Sequence, residues 1–312
     1  MSMTTTSIII PTYNRETELQ VALKSILRQS RLPDEVILCD DGHLSDFPLR
    51  KEFEKKGIDC IFHKKKIPGL TESRNEGIDR SHGDIILFLD DDIQLFPEYV
   101  ASVISVFEDD PEQRIGGVGG AVINPKPMNA ARRARWMFNL LFLNDGLREG
   151  KVLPSGYCTD FGTTPFPLKH QCRVDFLVGC CFSFRRKIFD TYRFTPRYRS
   201  YALGEDKDFS YRVSADFDLM YCPTARLYHF ESPAMRPHKD IMTQKNIMSR
   251  YLFFRDYVCR RKWQWLLYGY SLAGYILAQS LVALFSRDQD QKKRINGAFA
   301  ALKRILRGDV PA

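Results

Sequence analysis

The chain has 312 residues, of which 44% are apolar and 27% charged. Those values fit a globular protein of one or two domains. They exclude a disordered chain, a collagen, a disulfide-stapled miniprotein and a polytopic membrane protein. The net charge of +8 is uneven: residues 236–309 hold 15 basic and 5 acidic side chains, the remainder 31 and 33. A basic tail on a near-neutral body points to an anionic surface such as phospholipid or nucleic acid.

Eight cysteines are present without a CxxC pair, which disfavours zinc. They read as reduced thiols in a cytoplasmic protein. The N-terminal MSMTTTSIIIPTYN lacks the basic start of a signal peptide.

In chain order, Ser7–Ile10 reads as a short strand ended by Pro11, and Leu19–Leu27 as a helix. Glu35–Cys39 is a strand running into Asp40-Asp41-Gly42, and Ile58–Phe62 is a third strand. A helix follows over Gly69–Ile78. Asp84–Leu89 is a fully apolar strand that opens into Asp90-Asp91-Asp92. Pro97–Phe107 reads as a helix and Ile115–Ile123 as a Gly-broken strand. Pro125–Leu143 contains a basic helix, and Asn144–His170 is a long loop of the kind that often serves as a lid. Strand character returns over Val174–Phe184, a helix over Gly204–Val213, and short strands over Leu219–Tyr221 and Arg226–Phe230. Lys239–Cys259 is an amphipathic helix. Trp263–Phe285 is an uncharged run of 23 residues flanked by Arg260–Lys262 and Arg287. Alternating strands and helices predict an α/β fold, a mostly parallel sheet with helices on both faces. Ligands of such sheets bind beyond the carboxyl ends of the strands. The expected domains are an α/β domain over 1–235, which would carry any catalytic site, and a basic, apolar helical extension over 236–312.

Three adjacent carboxylates repel one another unless a cation joins them. Asp90-Asp91-Asp92 at the end of a buried strand therefore reads either as a divalent-metal site or as a solvated acidic turn. Asp40-Asp41-Gly42 is either turn chemistry or an acceptor for a base N–H. Glu205-Asp206-Lys207-Asp208 either caps a helix or supplies a general base. His229 is either a packed strand histidine or a ligand. Arg132, Arg133 and Arg135 form a solvated helix face or touch an anionic acceptor.

The ordered set IIIPTYNR, EVILCDDG, GLTESRNEGI, DIILFLDDDI, GCCFSFRR, GEDKDFSYR and LYHFES is more specific than any member of it. Together these motifs resemble the family 2 glycosyltransferases of the GT-A fold, over about residues 5–255. The resemblance implies an inverting, metal-dependent transfer of a sugar from a nucleotide diphosphate to a hydroxyl. It implies that Pro11 and Tyr13 lie beside the base and that Asp41 accepts the N3–H of uracil or thymine. Gly69 and Arg74 then line the nucleotide pocket. Asp92 binds Mn²⁺ or Mg²⁺, with Asp90 and Asp91 near the ribose or a metal-bound water and His229 as a further metal ligand. Asp206 matches the general base, Glu205 orients the acceptor or that base, and Gly179 lets the acceptor approach the backbone. Asp208 leaves the assignment of the base open.

The implied partners are a UDP- or dTDP-sugar donor and a lipid-linked or polysaccharide acceptor of cell-envelope synthesis. Trp263–Phe285 is long enough to span a bilayer, but both flanks are basic. Helices on the anionic cytoplasmic face are therefore expected, with a single span or a homodimer interface as alternatives. Two other functions remain open: sugar-phosphate nucleotidyl transfer, and a non-catalytic membrane or nucleic-acid scaffold. The missing Gly-rich phosphate loop speaks against the former, and the intact acidic and histidine motifs speak against a degenerate, non-catalytic domain; no nucleic-acid partner is expected.

Overall fold

The computed structural model describes residues 4–124, 127–198, 202–232, 237–285 and 289–310. The expected boundary at 235/236 and the flanking Arg287 lie outside them.

Three short β-rich runs start a sheet: β1 (Thr6–Thr12), β2 (Glu35–Asp40) and β3 (Asp59–Lys64). They pair in parallel, with Ser7 opposite Glu35 and Val36 opposite Cys60. β1 runs through Pro11 rather than stopping before it. Its pairing with β4 (Ile85–Leu89) ends at Ile9, so the proline leaves no ladder donor missing on that side. β5 (Ile93–Leu95), β6 (Ile115–Val122), β7 (Cys172–Val174), β8 (Cys181–Arg185) and β9 (Asp218–His229) complete the sheet. The described strands run β3-β2-β1-β4-β8-β6-β9-β5, with β7 also on β9. The sheet is mixed: β8 is antiparallel to both β4 and β6, while β6 and β9 are parallel.

Two expectations change in detail. The apolar run 174–184 is split, because residues 175–180 leave the sheet between β7 and β8. The two strands expected around Pro223 are one strand, whose proline falls where the β6–β9 register shifts between Gly119 and Ala121.

Strand side chains alternate between faces. One set (Ile8, Ile10, Val36, Leu38, Leu87, Leu89) shares a core with α1 (Glu16–Ile26), α2 (Arg50–Glu54) and α4 (Tyr99–Glu108). The alternate set faces α3 (Leu70–Arg80) and α6 (Glu205–Val213). There Phe88 meets Phe182 and Phe194 at 5.3 and 5.4 Å, and Phe194 stacks on Phe209 at 4.2 Å. Helices thus cover both faces.

The chain divides into two compact units, residues 1–124 with 169–235, and 125–168 with 236–312. Residues 125–168, expected within the catalytic domain, therefore group with the C-terminal helices. The second unit contains α5 (Ala130–Leu141), α7 (Lys239–Phe253), α8 (Gln264–Phe285) and α9 (Gln289–Arg307). Tertiary contacts explain the grouping. Phe142 stacks on Tyr270 at 5.0 Å, and Ser271 Oγ donates to Asn144 Oδ1 at 2.6 Å. Within the long loop, Glu149 is 2% exposed and accepts from the backbone N–H groups of Gly162, Thr164 and Leu168. α8 is long and apolar enough to cross a membrane by length and composition, with a mean hydropathy of 1.3. Leu266, Leu277, Leu281 and Leu284 on it are exposed.

Candidate functional site

The sheet topology brings one end of each strand to a common edge. β1, β2, β4 and β9 finish there, and β8 begins there. Most of the candidate residues sit on the loops and helix starts along that edge, as the topology of an α/β sheet favours.

Asp90, Asp92 and His229 form the first cluster, with one ligand atom from each within 4.8 Å of the others. The turn just after β4 supplies the carboxylates, and His229 is the last residue of β9. His229 Nε2 lies 3.1 Å from Asp92 Oδ1 and 3.9 Å from Asp90 Oδ2. Asp92 Oδ2 accepts the Ser232 N–H at 2.8 Å, and the buried Oδ1 faces the His229 ring nitrogen. Burial pushes the Asp92 carboxyl up, but His229 and the Ser232 N–H outweigh it and hold the group below its usual range. Burial disfavours a charge on His229, yet Asp92, Cys180 and Asp90 raise its pKa to about 11. Two carboxylates and an imidazole whose ligand atoms lie within 4.8 Å of one another fit a divalent cation such as Mn²⁺.

Asp91 does not join this cluster. Its carboxylate turns to the end of β1, where Thr12 Oγ1 donates at 2.8 Å and Arg15 Nη1 at 3.0 Å. Burial lifts its pKa to about 6 against the pull of Arg15. Like-charge repulsion along the acidic run gives the physical reason: a cation on the neighbouring loop draws the middle carboxylate away. Arg15 also stands 3.4 Å from Asp92 Oδ2. The sequence reading did not single out Arg15. Its signal is a cation just past the first strand, at the same sheet edge as the acidic run.

Arg74 organises a second cluster. It is 1% exposed on α3, yet it ion-pairs with Glu205, lies 3.5 Å from Asp90 Oδ1 and donates to the Gly179 carbonyl at 3.1 Å. Its guanidinium stacks over Phe182 and Phe194 at 4.9 and 5.3 Å, on the aromatic layer of the sheet. Burial, with Asp206 and Asp90 nearby, drives Glu205 up to about 8 although Arg74 opposes it. The Gly179 N–H donates to Asp206 Oδ2 at 2.9 Å, and the Lys207 N–H holds Oδ1 at 2.9 Å. A Cβ on Gly179 would stand 3.0 Å from Asp206 Cβ and 3.1 Å from Arg74 Nη2, so only glycine fits that approach without a shift. Asp208 is fully buried, bound by Arg197, by Arg212 at 3.0 Å and by the Tyr198 hydroxyl at 3.2 Å.

A third group forms at the ends of β2 and β3. Asp41 Oδ2 accepts the Gly69 N–H at 2.8 Å, and Ser73 Oγ donates to Asp41 at 3.0 Å. Lys65, buried among them, lies 3.2 Å from Asp41 and donates to the Gly69 carbonyl at 2.9 Å. The sequence reading missed Lys65, since a KKK run looks like a solvated face. Pro11 is buried within β1 and Tyr13 is 38% exposed just beyond it. The Asp41 N–H donates to the Thr12 carbonyl at 2.9 Å, tying the third group to β1.

The glycosyl transferase family 2 model matches residues 7–193. A glycosyltransferase of Haemophilus influenzae without an assigned reaction is 35% identical over 105 residues, 34% of this chain and 35% of that protein. The Campylobacter jejuni GalNAc(5)-diNAcBac-PP-undecaprenol beta-1,3-glucosyltransferase is 33% identical over 94 residues, 28% of this chain and 30% of its own length. These matches span about a third of the curated relatives. A mannosyltransferase of Pyrobaculum calidifontis, solved with GDP-Man and Mn²⁺, superimposes with a TM-score of 0.58 at 15% identity, over 98% of this chain and 88% of its own. That likeness gives the fold, which is GT-A. One family model covers more than half of the residues, including every strand of the sheet's parallel half, and the chain belongs to glycosyl transferase family 2.

Proposed function

We propose that the protein is an inverting, metal-dependent transferase. It moves a sugar from a UDP- or dTDP-type donor to a hydroxyl on a lipid-linked or polysaccharide acceptor. The convergence of Asp90, Asp92 and His229, with Arg74 pairing both Asp90 and Glu205, carries this reading. Asp90, Asp92 and His229 would hold Mn²⁺ or Mg²⁺, which neutralises the departing diphosphate when bound.

The protein's own groups have separate tasks. Asp41, already held by Gly69, Ser73 and Lys65, keeps little accepting capacity beyond one further donor, which suits the single N3–H of uracil or thymine. Pro11 and Tyr13 flank that base. Arg74 fixes Glu205 and the Gly179 carbonyl, so the acceptor side is rigid before substrate arrives. Asp206 takes the proton from the incoming hydroxyl, its carboxylate oriented by two backbone N–H groups. Asp208 is unsuited to that role, because two arginines and a tyrosine already occupy it inside the fold.

The second unit supports a membrane position. It carries 21 basic and 8 acidic residues, +13, against −5 for the first unit, from 25 and 30. Exposed leucines on α8 beside basic flanks suit the cytoplasmic face of an anionic membrane, where a lipid-linked acceptor is found. The Campylobacter relative is named for such an acceptor.

Calorimetric titration of UDP and dTDP into the wild type and Asp92→Ala, with and without Mn²⁺, tests the reading. Metal-dependent binding that disappears in the variant is expected. Absence of binding in the wild type, or its persistence in Asp92→Ala, overturns it.

A further inference from the structure

Within the second unit, a half-buried arginine has no carboxylate partner among the described residues. Arg250, on α7, bonds to Asn144 and Ser271 and stacks with the rings of Tyr157 and Tyr268, with no carboxylate among these partners. Its Nη1 donates to Asn144 Oδ1 at 3.1 Å. The Tyr157 ring lies 4.3 Å from the guanidinium carbon and the Tyr268 ring 5.6 Å. Burial holds this arginine below its usual range.

Three donors around it are unspent. Arg250 Nε, the Tyr268 hydroxyl and Asn144 Nδ2 are each shut off from solvent with no acceptor among the described residues. Tyr268 is 4% exposed and Asn144 1% exposed, so both polar ends are fully committed to the interior. The Asn144 amide cannot be turned to relieve this. Its Oδ1 accepts from both Arg250 and Ser271, and reversal would set donors against the arginine. Buried donors left unpaired are costly, and a buried cation without an anion more so. Arg250 and Tyr157 are half-buried as whole residues, so the cluster lies near the surface of its unit.

We propose that Arg250, Tyr268 and Asn144 form a binding site for a phosphoryl oxyanion, separate from the nucleotide-sugar site. The planar guanidinium edge suits a tetrahedral group with several acceptor oxygens, and the hydroxyl and amide add donors from two further segments. The surplus of 13 positive charges on this unit draws anions toward it. The phosphoryl group comes either from a lipid headgroup or from a phosphate free in solution. The proposal does not depend on the transfer reaction.

The test uses the full chain and Tyr268→Phe, which removes one oxygen and keeps the ring. Inorganic phosphate should raise the wild-type Tm beyond sodium chloride of equal ionic strength. Tyr268→Phe should need about tenfold more phosphate for the same rise, the size of one lost hydrogen bond to a charged group. Arg250→Gln should abolish the response; if it does not fold, Tyr268→Phe still decides. Equal phosphate responses in wild type and Tyr268→Phe overturn the site, as does a wild type that responds no more to phosphate than to chloride. Co-sedimentation with phosphatidylglycerol or phosphatidylcholine vesicles separates the sources. Weaker binding of Tyr268→Phe to phosphatidylglycerol alone assigns a lipid headgroup. Unchanged vesicle binding beside a weakened phosphate response assigns a soluble phosphate. Because neither arm measures sugar transfer, loss of the site and loss of the transferase reading remain distinguishable.

Discussion

Replacing Arg74 with methionine tests whether one buried cation holds the candidate site together. The substitution keeps much of the side-chain volume but removes the ion pair with Glu205 and the bond to the Gly179 carbonyl. It also removes the stacking over Phe182 and Phe194. Breaking a buried pair costs about 3–5 kcal/mol, because the surviving charge is stranded. With a pKa near 8, Glu205 is already mostly protonated at neutral pH, so little charge is stranded there and a smaller loss of about 1–3 kcal/mol, that of unpaired buried polar groups, is expected. The pH dependence carries the sharper test. Glu205 is raised in the folded state, so folding retains a proton that the unfolded chain gives up. Stability therefore falls as pH rises from the ordinary carboxyl range, and in the wild type the fall ends near pH 8. Without Arg74 the folded pKa climbs further, and the fall continues by about 1.4 kcal/mol per pH unit. Urea unfolding followed by tyrosine and tryptophan fluorescence at about pH 7 and about pH 9 measures both effects. Adding Glu205→Gln to the variant should restore part of the loss and flatten the profile. A loss below about 1 kcal/mol, or parallel profiles for variant and wild type, would refute the coupling.

Three other outcomes follow from the geometry. Asp206→Asn should lower kcat by about 10²–10⁴ while nucleotide affinity, read by calorimetry, stays within about twofold; near-normal turnover removes Asp206 from the chemistry. Glu35 accepts from Ser7 Oγ at 2.6 Å and from His82, and these bonds hold its pKa below the usual range against burial. Its stabilisation is complete above the ordinary glutamate pKa and is lost as pH falls through the lower folded value, so Glu35→Gln should cost stability at neutral pH and less in acid. Chemical denaturation across that range checks the sign. Gly77→Ala would place a Cβ 2.6 Å from Ile9 Cγ2, under the central strand. Overpacking should outweigh the helix propensity gained, for a net loss of about 1–2 kcal/mol by urea midpoint.

Much of the first unit was legible because its strands are short apolar runs closed by turn residues. IILFL before the acidic run and EVILC before Asp40-Asp41 are fully buried, as such runs require. The apolar stretch 174–184 misled, since hydrophobicity alone does not mark where a chain leaves a sheet. Residues 177 and 179 spend their N–H groups on Ser210 and Asp206 instead of on a neighbouring strand. The grouping of 125–168 with the C-terminal helices was illegible for a related reason. It rests on single tertiary contacts such as Phe142 with Tyr270 and on the buried Glu149, none of which leaves a periodic trace. Within the candidate site, motif order pointed to the carboxylates, His229 and Arg74, which the fold brings to one sheet edge. Lys65 and Arg15 escaped because their partners lie elsewhere in the sequence, at Asp41 and Asp91.

The bond network of the acidic loop also bears on how the polypeptide matures. Arg15 and Thr12 satisfy Asp91, and Ser232 and His229 attend Asp92, so the loop carries internal counter-charges of its own. A zinc finger, by contrast, collapses when its ion is withdrawn. Here the candidate ligands belong to a rigid strand end and a strand terminus already set by the sheet. Chelators should therefore silence the protein without melting it. Metal content would then be a property of the compartment at the moment of use, acquired and exchanged by a scaffold that reached its shape beforehand.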